Sequence, residues 1–290
     1  MDISVIIPFY NKVEWLYDAI NSINEKDNLS FEIIIVDDGS KEKIDLNKII
    51  RNKKHIKIIR QTNQGPGKAR NNGISKAVGD YIAFLDSDDL FVNDKLSIQL
   101  EFMRKYDFTW SHSSYFKFYE NGKKELVDNR NYDGMIFPDC FAYNPIATPT
   151  VMVKRMALEN PKKRFSEKMR FGQDGFLWSQ LAAYYSVGVI PEALSQVRMR
   201  GTNATLKAKN HLYVKSKMYS YMKQSDKYYN GRKIPLLLKI IFAISDFNYS
   251  ILELFPHQYL DKPYMEKISR FLYAFPYFVL RIYRHKNISL

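Results

Sequence analysis

The chain has 290 residues, of which 46% are hydrophobic and 15% aromatic, and its 44 Lys and Arg outnumber 31 Asp and Glu to give a net charge of +13. This composition supplies enough apolar material for a folded core, which excludes a disordered or low-complexity protein. The single cysteine, Cys140, excludes a disulfide framework and a cysteine-rich zinc or redox site.

The first 85 residues alternate short apolar runs with segments of helical periodicity. Residues 3–8, 31–36, 56–59 and 81–85 predict β-strands, and residues 13–23, 44–50 and 69–77 predict helices between them. Apolar strands that alternate with helices are typical of an α/β fold with a mostly parallel sheet covered by helices on both faces. In such a fold, ligands bind beyond the carboxyl ends of the strands.

The sequence shows no pattern that predicts secretion or membrane insertion. The chain opens directly on the first strand, without the basic and apolar pattern of a signal peptide. No uncharged apolar run reaches the roughly 18 residues that a membrane-spanning helix needs. We therefore expect a cytoplasmic protein without a transmembrane span.

Polar residues follow the strands where a ligand site is expected. The second strand ends in DDGS (residues 37–40) and the fourth in DSDD (residues 86–89), so five carboxylates are expected at one edge of the sheet. Carboxylates held together repel one another unless a cation or a donor-rich ligand compensates them. Asp86 and Asp88 could hold one Mg²⁺ or Mn²⁺ and leave coordination positions for a diphosphate. The alternative is an acidic turn that caps a helix starting near residue 93.

Four segments together resemble family 2 glycosyltransferases with the GT-A fold. They are SVIIPFYN (residues 4–11), IVDDGS (35–40), GPGKARN (65–71) and FLDSDD (84–89). The resemblance covers about residues 1–205, and four motifs in series are much more specific than one acidic pair. It implies a GT-A, Rossmann-like domain over residues 1–205, with a nucleotide-sugar half (1–110) and an acceptor half (111–205).

The resemblance implies a nucleotide-sugar donor, and a UDP-sugar in particular. Pro8 and Tyr10 would surround the base, and Asp38 would accept a hydrogen bond from the uracil imide, for which an ionised carboxylate is a strong acceptor. For Asp38, a helix N-cap or Asx-turn is the alternative. The full implied donor set is Pro8, Tyr10, Asn11, Asp38, Gly65, Arg70, Asp86, Ser87, Arg198 and Arg200, with Asp86 and Asp88 as ligands of Mn²⁺ or Mg²⁺.

The resemblance also implies a catalytic base at the start of a later helix, usually the Asp of a Glu-Asp pair. The corresponding pair is Gln173-Asp174, so Asp174 would deprotonate the acceptor hydroxyl, unless it only caps the helix predicted over residues 174–183. The family's mechanism is a single inverting displacement. The segment VRMRGTNAT (residues 197–205) is similar to the family's basic loop over the donor diphosphate, and its two arginines are otherwise surface charge.

Residues 206–290 differ in composition from the rest. They contain 15 Lys and Arg against 5 Asp and Glu, and 17 of the 43 aromatic residues. We predict a helical extension with amphipathic helices over residues 234–244 and 271–283. It is either a solvated helical face, an element lying on anionic lipid, or a nucleic-acid-binding segment. The last is disfavoured because no nucleic-acid-binding signature is present. Lipid contact would place the protein peripherally at the inner face of the cell membrane, acting on a glycan or lipid-linked acceptor in surface polysaccharide biosynthesis.

The acceptor site is predicted between residues 110 and 175, where Trp110, His112, Tyr115 and residues 143–150 are candidate contacts, and the sequence does not identify the sugar. Two other functions remain open. A nucleotidyltransferase would have a glycine-rich basic loop after the first strand, where this chain has PFYN (residues 8–11). A non-catalytic sugar-binding protein on the same scaffold would be expected to lose an acidic residue of the site, and all are present.

Overall fold

The computed structural model describes residues 1–24, 29–45, 55–92, 94–160, 163–201, 207–256 and 262–287. The chain divides into two compact units. The first consists of Met1–Met135, Pro145–Lys168 and Tyr185–Met199, and the second of Ile136–Asn144, Met169–Tyr184 and Arg200–Leu290. The second unit thus combines the C-terminal residues with two segments from the predicted acceptor half. The predicted boundary between residues 205 and 206 lies outside the described residues.

Among the residues that the structure describes, the first unit contains one sheet and three α-helices. Its elements are β1 (Ile3–Phe9), α1 (Val13–Asn21), β2 (Phe31–Asp37), β3 (Ile56–Arg60), α2 (Pro66–Lys76), β4 (Tyr81–Phe84), β5 (Leu90–Phe91), α3 (Lys95–Lys105), β6 (Trp110–Tyr119), β7 (Lys124–Val127), β8 (Met152–Lys154) and β9 (Val187–Met199). The four predicted strands are confirmed to within one residue. The predicted helix at residues 44–50 lies mostly outside the described residues.

The strand order across the sheet is β3-β2-β1-β4-β8-β6-β9-β5, with β7 paired to β6. Strands β1 to β4 pair in parallel, as do β6 and β9, whereas β5, β7 and β8 pair antiparallel to their neighbours. Parallel pairings join most of the paired residues, so the predicted α/β fold with a mostly parallel sheet is confirmed. Its carboxyl edge at β1, β2 and β4 carries the predicted motifs.

Helices cover both faces of the sheet. Successive residues of a strand point to opposite faces, so alternate side chains of β2 pack against different helices. Ile33 and Ile35 of β2 belong to a core cluster that includes α1 and α3, whereas Ile34 and Val36 pack with α2. All four side chains are at most 1% exposed. Full burial of one such side chain contributes about 1.5–3 kcal/mol to stability, so the strands must be apolar on both faces.

Helix α2 lies very close to β1. A Cβ at Gly73 would come within 2.5 Å of Ile6 Cγ2, so glycine allows the helix to contact the strand directly. The helix begins at Pro66, whose fixed φ suits a first helical position. This packing fixes the direction in which α2 leaves the carboxyl edge of the sheet.

The second unit contains α4 (Gln173–Ala182), α5 (Ala208–Met222), α6 (Ser225–Tyr228), α7 (Leu236–Glu253) and α8 (Pro263–Asn287). The predicted helices at residues 234–244 and 271–283 are parts of α7 and α8. Helices α5, α7 and α8 pack around Leu212, Leu252 and Met265. Within the described ranges, no helix combines the length and the apolar character needed to cross a bilayer.

A buried cation lies between α3 and the sheet. Lys95 is 1% exposed, and its Nζ donates to Gln99 Oε1 at 2.6 Å and lies 4.5 Å from the centre of the Phe91 ring. No carboxylate is paired with it among the described residues. Burial lowers the pKa of Lys95 to about 7, because the charged form loses its hydration.

Lys95 should make stability depend on pH. Above about pH 7 the folded state releases a proton that the unfolded chain keeps until its ordinary pKa of about 10.4, so stability should rise with pH in this window by up to about 1.4 kcal/mol per unit. Urea unfolding between pH 7 and about 9 should show this slope in the wild type and a smaller one in Lys95→Met. Lys105→Met, at an exposed position of α3, is the matched control. Equal slopes in all three proteins would contradict the assignment.

Candidate active site

The loops after β1 and β2 are joined through Asn11. Its Oδ1 accepts hydrogen bonds from Ser40 Oγ and Lys41 N, both at 3.0 Å, and its own N–H donates to Ser40 Oγ at 3.1 Å. Asn11 has a positive φ of 60°, which asparagine tolerates better than most residues. In the same stretch, Pro8 is buried in β1 and Tyr10 is 51% exposed. Asn11 therefore holds the two loops together next to the exposed ring of Tyr10.

Asp38 is a buried carboxylate that binds a distant loop. Its Oδ1 accepts from Gln61 Nε2 at 2.7 Å and from the Gln64 N–H at 2.8 Å, and its Oδ2 accepts from the Gly65 N–H at 2.8 Å. Asp38 therefore forms no Asx-turn, because these carboxylate hydrogen bonds go to residues 61–65 rather than to the backbone two residues on. The neighbouring Asp37 makes the local contact, since its Oδ1 accepts from the Ser40 N–H at 2.8 Å. The second lone pair of Oδ2 leaves room for one more donor.

Gly65 connects this loop to helix α2. Its φ of 89° lies in the region that favours glycine. Within the described part of the chain, no side chain caps the N-terminus of α2, so the N–H groups of its first turn and the positive end of the helix dipole are available to an anion. Lys68 in this turn pairs with Glu167 at 3.1 Å.

Arg70 on α2 contacts the predicted metal-binding turn. It is 5% exposed, and its Nη2 forms an ion pair with Asp86 Oδ1. The guanidinium lies over the Phe165 ring, 5.2 Å from its centre. Its Nε is buried without a hydrogen-bond partner among the described residues. The family resemblance placed Arg70 in the donor set but did not predict this pairing, because residues 70 and 86 are brought together only by the packing of α2 on β1.

The acidic turn after β4 is held from β9. The Arg198 N–H donates to the buried Asp89 Oδ1 at 2.9 Å, and Arg198 Nε donates to the Asp88 carbonyl oxygen at 2.9 Å. The guanidinium lies 5.1 Å from the centre of the Trp15 ring and 4.6 Å from that of Phe118. Arg198 thus supports the turn, a contact that its sequence position did not predict.

The alternative role of this turn as a helix cap is wrong. Strand β5 separates it from α3, whose N-cap is Asp94. Asp86, Ser87 and Asp88 are all partly exposed at the edge of the sheet.

The acidic turn fits a hard divalent cation with few protein ligands. Asp86 and Asp88 offer oxygen atoms only, the ligand type that Mg²⁺ and Mn²⁺ prefer. In the part of the chain that the structure describes, no group of three or more His, Cys, Asp or Glu could hold a metal. Mg²⁺ is commonly bound by one or two carboxylates, with substrate phosphates and waters completing the coordination. The donor set is therefore sufficient only together with a diphosphate.

Asp174 and Arg200 belong to the second unit. Asp174 is the second residue of α4 and is partly exposed, and its Oδ1 accepts from the Gly175 N–H at 2.8 Å. The N-cap of α4 is Gly172, so the capping alternative for Asp174 is wrong. Arg200 is exposed directly after β9, and residues 202–205 of the predicted basic loop lie outside the described residues.

Three residues considered for the acceptor site are buried in the first unit: Trp110, His112 and Tyr115. The ring Nε2 of His112 lies 2.7 Å from the Tyr132 carbonyl oxygen, and burial lowers its pKa to about 4. Its imidazole is therefore neutral at pH 7 and donates to that carbonyl. His112 therefore has a structural role in the buried part of the first unit.

Comparison with known proteins identifies the family. The model of Glycosyl transferase family 2 matches residues 4–171, more than half of the chain. The chain belongs to glycosyltransferase family 2. An uncharacterized glycosyltransferase of Rickettsia conorii is 45% identical to it over 205 residues, which are 70% of this chain and 34% of that protein.

A second relative has a more specific name. It is the Escherichia coli UDP-Glc:alpha-D-GlcNAc-diphosphoundecaprenol beta-1,3-glucosyltransferase WfaP, 32% identical over 180 residues, or 61% of this chain and 68% of that protein. Among solved structures, S. aureus TarS 1–349 in complex with UDP-GlcNAc superposes with a TM-score of 0.65, at 18% identity, over 95% of this chain and 80% of that one. The likeness establishes the GT-A fold of the family 2 chain. The chain spans about a third of the length of the Rickettsia relatives.

Replacing Asp38 should loosen the loop before α2. In Asp38→Asn one carboxylate oxygen becomes an NH₂ group, so at least one N–H of Gln64 or Gly65 loses its acceptor. An unpaired buried donor costs about 1–3 kcal/mol, and urea unfolding should show a loss of this size. Asp80→Asn, at an exposed residue before β4, should leave stability unchanged. Wild-type stability of Asp38→Asn would show that the loop does not depend on the carboxylate.

Proposed function

We propose that this family 2 chain is an inverting glycosyltransferase. It transfers a sugar from a nucleotide-sugar, most specifically a UDP-sugar, to a hydroxyl of a glycan or lipid-linked saccharide in surface polysaccharide biosynthesis. The observation that carries the proposal is the connected edge formed by Asp38, the start of α2, Arg70 and the Asp86–Asp88 turn. Along this edge, N–H groups that can bind an anion and carboxylates that can bind a base or a cation are connected by hydrogen bonds and an ion pair.

The donor nucleotide is proposed to bind between the first two loops and α2. The exposed ring of Tyr10 offers a stacking surface, and Asp38 Oδ2 accepts the base imide through its remaining lone pair. A Cβ built on Gly65 would have no atom of the described residues within 4 Å, so a ligand can approach the backbone there. The uncapped start of α2 and Arg70 then favour the negatively charged diphosphate.

Asp86 and Asp88 are proposed to hold Mn²⁺ or Mg²⁺ with the donor diphosphate. When bound, the cation neutralises negative charge on the diphosphate as it leaves. The chain's own contribution is orientation: Arg70 restrains Asp86, and Arg198 restrains the backbone at Asp88. A restrained carboxylate and a restrained turn backbone lose little freedom on binding, which favours coordination.

Asp174 is proposed as the general base for the acceptor hydroxyl. It lies in the first turn of α4 and is partly exposed, so its carboxylate is accessible to accept a proton from a hydroxyl. Attack by the deprotonated oxygen on the anomeric carbon, opposite the leaving diphosphate, inverts the configuration at that carbon. An α-linked donor would therefore give a β-linked product.

The substrate class is supported by relatives rather than by a contact in this chain. The name of WfaP specifies a UDP-glucose donor, a diphosphoundecaprenol-linked acceptor and a β-linked product. TarS was solved with UDP-GlcNAc. A UDP-sugar donor and a lipid-linked saccharide acceptor are the matching proposals here.

Donor hydrolysis tests the proposed donor and metal sites. We expect slow release of nucleoside diphosphate from one member of a panel of UDP-, GDP- and dTDP-sugars with Mn²⁺, and its loss with EDTA. Asp88→Asn should reduce release by about 100-fold or more, because charge on the leaving group is no longer compensated. Asp80→Asn at the opposite end of β4 should behave as the wild type. Equal rates with EDTA would contradict the metal assignment, and no hydrolysis or thermal shift with any donor would contradict the donor site.

Asp174→Asn separates catalysis from donor binding. With a lipid-linked saccharide acceptor, we expect transfer to fall by about 100–10,000-fold, the usual contribution of a general base, while the thermal shift with donor and Mn²⁺ is retained. NMR of the anomeric proton of the wild-type product should show inversion. Transfer at the wild-type rate in Asp174→Asn would exclude it as the base.

A further inference from the structure

Helix α8 has an apolar stripe on the side that faces away from its helical neighbours. Its buried residues, such as Met265 and Leu280, face the interior of the second unit. The stripe consists of Tyr264, Phe271, Phe275, Phe278 and Ile282, all exposed, with Phe271 at 81% and Phe278 at 61%. Their spacing of three, four or seven residues aligns them on one side of an α-helix.

Helix α7 repeats this arrangement. Leu236, Ile240 and Phe247 lie on one side of the helix and are exposed, and Leu254 follows directly after its end at 81% exposure. The two helices are neighbours, since Asn248 Nδ2 of α7 donates to the Leu272 carbonyl oxygen of α8 at 2.7 Å. Adjacent helices in one unit thus each expose large apolar side chains.

Cations line the stripe of α8, and acids are absent from it. Lys267, Arg270 and Arg281 are exposed along one edge. The single acid of α8, Glu266, is only partly exposed; it lies 3.3 Å from the Ala208 N–H of α5 and pairs with Arg270 at 3.1 Å. A solvated face would mix charges of both signs and expose few phenylalanines. This side of α8 is instead apolar at its centre and positive at its edge.

We propose that this face of α8, together with the exposed apolar residues of the neighbouring α7, docks on the surface of an anionic lipid bilayer. The aromatic and aliphatic side chains enter the boundary between headgroups and acyl chains, and Lys267, Arg270 and Arg281 contact anionic headgroups. The lipid is chosen over a second copy of the chain because two such faces would bring like charges together. It is chosen over a nucleic acid because the centre of the face is apolar rather than cationic.

Vesicle sedimentation tests the docking without any sugar donor. The full chain is mixed with vesicles of phosphatidylcholine alone or with phosphatidylglycerol. We expect at least about tenfold stronger binding to the anionic vesicles, decreasing at high salt. Because no donor or acceptor is present, failure here leaves the proposed glycosyl transfer unaffected, and an inactive enzyme that sediments with vesicles would still support docking.

Two double variants separate the apolar component of the face from the cationic one, and a third serves as the control. Phe271→Ser with Phe278→Ser should weaken binding to anionic vesicles by about tenfold or more. Lys267→Gln with Arg281→Gln should remove most of the preference for anionic over neutral vesicles. The matched control is Leu126→Ser with Met156→Ser, two exposed apolar residues of the first unit, which should bind like the wild type.

A direct probe keeps the proposal falsifiable if a variant folds poorly. Phe275→Trp should shift its fluorescence to shorter wavelength with anionic vesicles, because the ring leaves water. Absence of both sedimentation and a shift would overturn the proposal. So would a wild-type dimer that Phe271→Ser with Phe278→Ser converts to a monomer while no vesicle binding is found, since a second copy would then be the occupant.

Discussion

The buried carboxylate of Asp38 is the interaction on which the carboxyl edge of the sheet depends. It directly follows β2 and accepts hydrogen bonds from the N–H groups of Gln64 and Gly65, so it fixes where α2 begins. Gly73 then lets α2 lie directly on β1. With both its start and its contact surface fixed, α2 can present Arg70 in only one direction. One buried charge, satisfied by three donors, thus determines the position of a cation several residues away.

The two arginines of this edge, Arg70 and Arg198, have different roles. Arg70 neutralises a carboxylate of the acidic turn, whereas Arg198 binds the turn's backbone and lies between aromatic rings. A charge pair can be exchanged for a ligand, but a guanidinium enclosed by Trp15 and Phe118 is mainly a support. We therefore expect Arg70 to respond to donor binding and Arg198 to remain in place. The turn is restrained from α2 on one side and from β9 on the other.

Much of the fold could be predicted because its signals are local. Apolar runs located four strands to within one residue, and four motifs identified the family. The long-range contacts could not be predicted: the pairing of Arg70 with Asp86, and the support of Asp88 by Arg198, depend on how a helix and a distant strand pack. The assignment of residues 169–184 to the C-terminal unit is of the same kind, since Gly172 meets Val214 of α5 through close packing that no local pattern encodes. Roles inferred from family resemblance, such as that of Asp174, remain predictions.

The C-terminal helices contrast with those that cover the sheet. Helix α1 buries its apolar side chains against the strands, whereas α7 and α8 bury one side against α5 and expose large apolar groups on the other. An exposed apolar surface costs free energy in water unless something covers it. The cations beside Phe271 and Phe278 indicate that the cover carries negative charge. A bilayer with anionic headgroups supplies both properties, and it would keep the chain at the surface where the proposed lipid-linked acceptor would be found.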